Sequence, residues 1–289
     1  MSQIDQGWIL TLSCDDAIGI TYAVTQVLVG FGGNVTEAQQ FHDPDTGRFF
    51  MRIAFTVADP VGDTVHYHRQ FDSVIDSFAM DFTLRRADRE KRVLLFVSKF
   101  DHCLADLLYK MRIGELRMDV RGIISNHPKE ALNLTNFGDV PFHHLPVTQA
   151  TKAAQEAKIA AIAEQAQVEL VVLARYMQIL SPDLVSKLAH RCINIHHSFL
   201  PSFKGAKPYH KAYQRGVKMI GATAHFVTNE LDEGPIIAQD VEHVSHADAP
   251  ADLIRKGRNI EQRVLSRAVE LILQDRVLVN GSKTVVFSR

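Results

Sequence analysis

Residues 191–204 read Arg-Cys-Ile-Asn-Ile-His-His-Ser-Phe-Leu-Pro-Ser-Phe-Lys. The stretch predicts a short strand that runs out at Ile195 and His196, and Pro201 with Gly205 forces a loop after it. Side chains two apart on a strand share a face, so Asn194 and His196 project together where the strand ends. An amide and an imidazole at a strand's carboxyl end stand where open α/β sheets bind ligands. By itself the triplet has a plainer reading, a capping Asn beside a core-edge His. The surrounding chain decides between them.

Upstream, Ser181-Pro182-Asp183 opens a helix to His190, with Ser at the N-cap and Pro at the first helical position. Residues 93–97, 120–125 and 168–174 read as strands, the first and last as continuous apolar runs. Helical stretches separate them at 103–111 and 151–165, with a short extended piece at 142–146. Downstream, Lys207, Tyr209 and His210 fall on the loop. Strands are expected at 220–227 and 235–240, joined by the loop 228–234, then a long helix over 249–273. A closing hairpin over 276–279 and 284–287 turns at Asn280-Gly281. Strands alternating with helices predict a doubly wound, mostly parallel sheet over 92–289.

The first 86 residues follow another pattern. A strand at 8–13 leads through Asp15 and Asp16, candidate caps, into a helix striped by Ile18, Tyr22, Val24, Val27, Leu28 and Phe31. Strands at 34–41 and 48–57 flank the hairpin signal His42-Asp43-Pro44-Asp45-Thr46-Gly47. A helix over 61–77 and a strand over 80–85 complete β-α-β-β-α-β, the ferredoxin-like unit. The charged run 86–91 supplies the linker, so the expected domains are 1–86 and 92–289, joined by 87–91. The fold class is α/β.

Composition narrows the function. The formal net charge of −1 is spread along the chain, and no basic block suggests a nucleic-acid surface. The N-terminus has no signal-peptide pattern and no apolar run would span a bilayer, so a cytoplasmic protein is expected. The 3 cysteines, Cys14, Cys103 and Cys192, lack Cys-x-x-Cys spacing, which argues against a disulfide framework and a structural zinc. Cys192 reads as a small buried side chain. Of the 14 histidines, the pairs His143-His144 and His196-His197 point to opposite faces of a strand and are not ready chelates. No metal is expected.

Two resemblances complete the reading. Asp15-Asp16-Ala17-Ile18-Gly19-Ile20, at the first strand-to-helix turn, resembles the ACT domains, which often bind amino acids there and self-associate. Gly19 matches their turn glycine, whereas Ile18 stands where a proline is usual. That likeness implies a candidate effector site at Asp15, Asp16, Gly19 and Asn34, an effector such as glycine or methionine, and a homodimer or homotetramer. A purely structural dimerisation module is the alternative.

The second covers residues 92–289. Asn194-Ile195-His196, the run from Ser198 to Gly205, His225-Phe226-Val227, Leu231-Asp232-Glu233-Gly234-Pro235 and the stretch from Ala174 to Leu180 resemble the folate-dependent formyltransferases. The likeness implies catalytic roles for Asn194, His196 and Asp232. It places the folate pterin against Met177, Gln178, Ile179 and Leu180 and against Asn229, Glu230, Leu231 and Asp232, with His225 in support. Joined to an ACT-like unit, the chain looks like the family's hydrolytic branch. Those enzymes take 10-formyltetrahydrofolate to formate and tetrahydrofolate, supplying formate for purine synthesis and balancing one-carbon pools. Folate is then substrate, with no bound cofactor.

The residues suit that chemistry. Water attacking a formamide carbon passes through an oxyanion, which Asn194 and a protonated His196 can stabilise. Imidazole titrates near neutrality and can carry protons between water and the departing nitrogen. Asp232 can orient the imidazole. The nucleotide-using relatives carry a glycine-rich phosphate loop after the first strand of this domain; here Ser98-Lys99-Phe100-Asp101-His102-Cys103 has no glycine and adds a carboxylate. Water needs no such anchor. His197 stands where transferases usually have proline, and with Lys207 and Tyr209 it is a candidate for the acceptor side of the site. Two other readings stay open: transfer to an amine such as glycinamide ribonucleotide, and an inactive amino-acid- or folate-sensing binding protein.

Overall fold

The structure, a computed structural model, describes residues 7–58, 62–200 and 208–288. The chain divides into two compact units. One holds the residues up to Glu90 with Gln274–Asn280 and the chain from Thr284 on; the other holds Lys91–Leu273 with Gly281–Lys283. The last residues, expected to close the second domain, thus count largely with the first.

The first unit runs β1 (Trp8–Asp15), α1 (Ile20–Gly30), β2 (Gly33–Asp43), β3 (Arg48–Val57), α2 (Thr64–Arg69), α3 (Asp72–Phe78) and β4 (Asp81–Arg86). Its sheet has the order β2-β3-β1-β4 with every pairing antiparallel, the ferredoxin-like arrangement. Trp8, Leu10, Leu12, Phe55, Tyr67 and Phe71 centre its core, and Trp8 meets Tyr67 edge-on at 4.9 Å.

Two local expectations are corrected here. Gly19, at φ 96°, takes the N-cap with no side-chain cap from Asp15 or Asp16, so α1 starts at Ile20 and buries Ile20, Val24 and Leu28. Ile18 and Tyr22 fall outside the stripe and stand 103% and 69% exposed. The expected second helix is broken in two. The amides of Gln70 and Phe71 bond three residues back, to Tyr67 and His68, and this tighter turn ends α2 while Phe71 plunges into the core.

Residues 274–288 carry β12 (Val277–Asn280) and β13 (Lys283–Val286), which pair as the expected hairpin. Arg276 Nη1 and Nη2 each donate at 2.8 Å to Glu37, which also accepts from Arg52 Nη1 at 3.1 Å. Both arginines are only 3% exposed.

The second unit begins with β5 (Lys91–Val97), α4 (His102–Arg112), β6 (Met118–Ser125), β7 (Phe142–His144), α5 (Lys152–Gln165) and β8 (Leu170–Leu173). It continues with α6 (Pro182–Lys187), β9 (Cys192–His196), α7 (Pro208–Arg215), β10 (Met219–Phe226), β11 (Ile236–His243) and α8 (Pro250–Leu273). Helix α6 ends before His190, but its N-cap is the expected one, with Ser181 Oγ accepting from the Leu184 amide. Helix α7 lies where a loop was expected.

The sheet order is β11-β10-β9-β8-β5-β6-β7. From β7 to β9 the pairings are parallel, whereas β10 and β11 join antiparallel, so the sheet is mixed but mostly parallel. Leu94, Phe96, Val171 and Leu173 are buried with Leu180 and Leu184 in one cluster, as apolar strands covered on both faces require. Among the described residues no helix is long and apolar enough to cross a membrane.

Candidate active site

Strands β9 and β10 set the candidate catalytic side chains. Their antiparallel register puts His225 opposite Asn194 and Thr223 opposite His196. Directly opposed residues share a face, and Asn194 Nδ2 lies 3.3 Å from His225 Nε2. A register shift between Ala224 and His225 in the β10/β11 pairing marks the spot, as bulges often do beside working side chains. His225 Nδ1 lies 2.9 Å from the Phe226 carbonyl and must donate to it. In the neutral ring Nε2 is then the acceptor, so Asn194 donates to it and keeps its second N–H free.

Asp232 reaches the same place from the loop between β10 and β11. Its backbone is left-handed at φ 59°, a conformation Asp tolerates better than most residues. The next bend is fixed by Gly234, where a Cβ would lie 1.8 Å from the Phe226 carbonyl oxygen. Asp232 Oδ2 is 3.2 Å from His196 Nδ1, while its Oδ1 is 3.7 Å from His225 Nε2, too long for a hydrogen bond. The bond to His196, with the neighbourhood of His225, holds the Asp232 carboxyl well below the usual carboxylate range despite its partial burial. The anion fixes His196 with its proton on Nδ1, leaving Nε2 for chemistry.

One cavity of about 760 Å³ gathers these groups. Asn194, His196, His225 and Asp232 line it. So do Met177, Gln178, Ile179 and Leu180 from one segment and Asn229, Glu230 and Leu231 from the other. Met177, Ile179 and Leu231 expose large apolar surface there, which suits a flat aromatic ligand.

Of the acceptor-side candidates, His197 lines the cavity, Tyr209 on α7 does not, and Lys207 lies outside the described residues. Because β9 ends at His196, the rings of His196 and His197 do not diverge as on a strand. They stack with centroids 5.0 Å apart. Burial first, then the nearby Arg175 charge, push the His197 imidazole down to about 4.

In the first unit, Asp16 and Gly19 line a separate cavity of about 450 Å³ with Thr21, Gln40 and His42. Asp15 pairs with Arg48 at 3.1 Å instead, and Asn34 sits on β2 opposite Thr56, away from that cavity.

Four residues around the main cavity escaped the sequence reading. Ser98 Oγ accepts from the Met177 amide at 3.0 Å and donates to Asn126 Oδ1 at 2.7 Å, pinning the apolar segment. Arg175, His102 and Glu261 meet behind His197. Asp101, the carboxylate of the Ser98–Cys103 loop, is buried and accepts from the Leu134 amide at 2.7 Å. Among the described residues, one group has donor atoms close enough for a metal, namely His102, Cys103 and Glu261 within 4.8 Å of one another. Arg175 Nε already lies 3.4 Å from that carboxylate and supplies its counter-charge.

The Formyl transferase family matches residues 91–269. The formyltetrahydrofolate deformylase of Corynebacterium sp. (strain P-1) is 48% identical over 279 residues, 96% of this chain and 97% of that one. The crystal structure of the formyltetrahydrofolate deformylase from Burkholderia mallei superposes with a TM-score of 0.93 at 48% identity, covering 98% of this chain and all of that one. That of glycinamide ribonucleotide transformylase 1 from Symbiobacterium toebii covers 69% of this chain and 95% of its own at 28% identity, with a TM-score of 0.61.

Proposed function

The chain belongs to the formyl transferase family and, within it, to the formyltetrahydrofolate deformylases, and from that premise we propose that it hydrolyses 10-formyltetrahydrofolate through Asn194, His196 and Asp232. The observation that carries the mechanism is the 3.2 Å contact of an ionised Asp232 with His196 Nδ1. With that proton fixed, Nε2 takes a proton from the attacking water. The new C–O bond drives the formyl oxygen to an oxyanion, which the free N–H of Asn194 stabilises. As the bond from the formyl carbon to N10 breaks, His196 returns its proton to N10. Formate and tetrahydrofolate leave. The pterin lies on the apolar segment from Met177 to Leu180, faced by Asn229, Glu230 and Leu231, and no step calls for a metal or a bound cofactor.

The test is an assay with 10-formyltetrahydrofolate, chelator and no amine, following formate. Formate released stoichiometrically and lost in His196→Ala supports the reading. Product appearing only after an amine is supplied would make the enzyme a transferase.

We assign the ferredoxin-like unit as an ACT domain working in the cytoplasm. Its cavity at Asp16 and Gly19 suits the amino group of an amino acid such as glycine or methionine. The exposed Ile18, Tyr22 and Val29 offer an apolar face for pairing into a dimer or tetramer. A rate and a melting temperature unmoved by both amino acids would remove the effector.

A further inference from the structure

We propose that Arg175, His102, Glu261 and Tyr209 form a built-in plug that fills the acceptor end of the cavity and confines the enzyme to water; this rests on the hydrolase reading.

The topology says where an acceptor would sit. The chain leaves β5 toward β6 on one side and returns to β8 on the other, so the sheet's switch point lies between β5 and β8. Ligands of such sheets bind in the crevice outside the carboxyl ends of those strands. His102 opens α4 just past β5, and Arg175 follows β8. Folate takes the wall formed by 177–180 and 229–232, so an amine would have to approach the formyl carbon through this crevice.

The crevice is full of the protein's own side chains. Glu261, only 1% exposed, reaches in from α8. Its Oε2 lies 2.7 Å from His102 Nε2, and its Oε1 accepts from the Tyr209 hydroxyl at 2.7 Å. The Tyr209 ring lies flush on α8 because residue 257 is glycine; a Cβ there would come 2.1 Å from Tyr209 Cζ. Arg175 closes the wall beside His197 with a backbone φ of 67°, unusual for a long side chain. Its buried Nε and Nη1 make no hydrogen bond, although Nε is 3.4 Å from Glu261. The cavity is lined by Arg175 and His197 but by none of His102, Tyr209 or Glu261, so it stops at the plug.

Opening the plug should admit an amine. Its nitrogen would bond to the formyl carbon, the bond from that carbon to N10 would break, and the amine's proton would pass to N10. Two variants open the contact from opposite sides: Tyr209→Ala deletes the ring, and Gly257→Ala displaces it. Tyr209→Phe keeps the volume and is the control. Each is checked for folding by circular dichroism and melting, then given 10-formyltetrahydrofolate with glycinamide as the amine probe. Formate and N-formylglycinamide are quantified together by mass spectrometry. Both alanine variants should raise the amide-to-formate ratio roughly 10- to 200-fold, the usual worth of pocket space, while Tyr209→Phe stays at the parent ratio. Folded alanine variants whose amide-to-formate ratio stays at the parent's, or that give neither product, would overturn the plug. A parent enzyme that makes no formate without amine would instead overturn the hydrolase reading.

Discussion

His196 and Asp232 can be separated by substitution. His196→Ala removes the proton carrier and should lower kcat by about 100- to 10,000-fold, measured as formate release. Asp232→Asn tests orientation rather than folding, because Asn also tolerates the left-handed backbone at φ 59°. It should fold normally and still lose at least about a hundredfold of kcat, since an amide cannot hold the imidazole tautomer as an anion does. His197 makes a different prediction. Its imidazole is held down to about 4, whereas an unfolded histidine titrates near 6.5. Between those values the unfolded chain binds more protons, so stability rises with pH across the window and gains nothing further above it. His197→Gln should flatten that rise, read from urea midpoints at stepped pH; an unchanged slope would disprove the burial of a neutral ring. That Asn194 and His196 share a face was legible in strand spacing, but their candidate role was legible only through family likeness. Asp232 was legible only through family likeness, because 36 residues and a bulged hairpin separate it from His196. Arg175, His102 and Glu261 were not legible, since they converge from the ends of β8 and β5 and from α8, and no local pattern links them.

At the level of elements, the loop between β10 and β11 delivers Asp232, and Gly234 holds that loop against the backbone. A methyl group there meets a carbonyl oxygen at 1.8 Å, which no rotamer can relieve. Gly234→Ala should therefore displace Asp232 and cut activity about as deeply as Asp232→Asn while far-UV circular dichroism stays unchanged. An active Gly234→Ala enzyme would show that the loop can deliver Asp232 another way. Most strands and helices followed from apolar periodicity, because each buries one face or two. The failures have local causes. Gly19 reset the frame of α1, tight hydrogen bonds at Gln70 and Phe71 split the helix after β3, and α7 went unread behind a proline-marked loop.

For the whole molecule, the decisive fact is that the first unit is built from both ends of the described chain. Glu37 holds Arg52 and Arg276 together, and deleting it would leave two buried cations facing each other. Glu37→Ala should cost roughly 3–5 kcal/mol, the usual result of breaking a buried charge pair, measured by urea unfolding. A loss under about 1 kcal/mol would mean that solvent screens the cluster. The sequence reading put the linker at 87–91 and kept the last hairpin with the second domain, whereas that hairpin counts largely with the first unit, because Arg276 finds its partners Glu37 and Gln39 239 and 237 residues away.

That return of the chain sets an order of events during synthesis. Everything that builds the seven-stranded sheet emerges from the ribosome before residues 274–288 do. The catalytic unit can thus fold while the ferredoxin-like unit still waits for Arg276 and Asn280, which bond to Glu37 and Asp43. The unit begun first is completed last, and a stalled or prematurely ended chain would carry a finished active site on an unfinished companion.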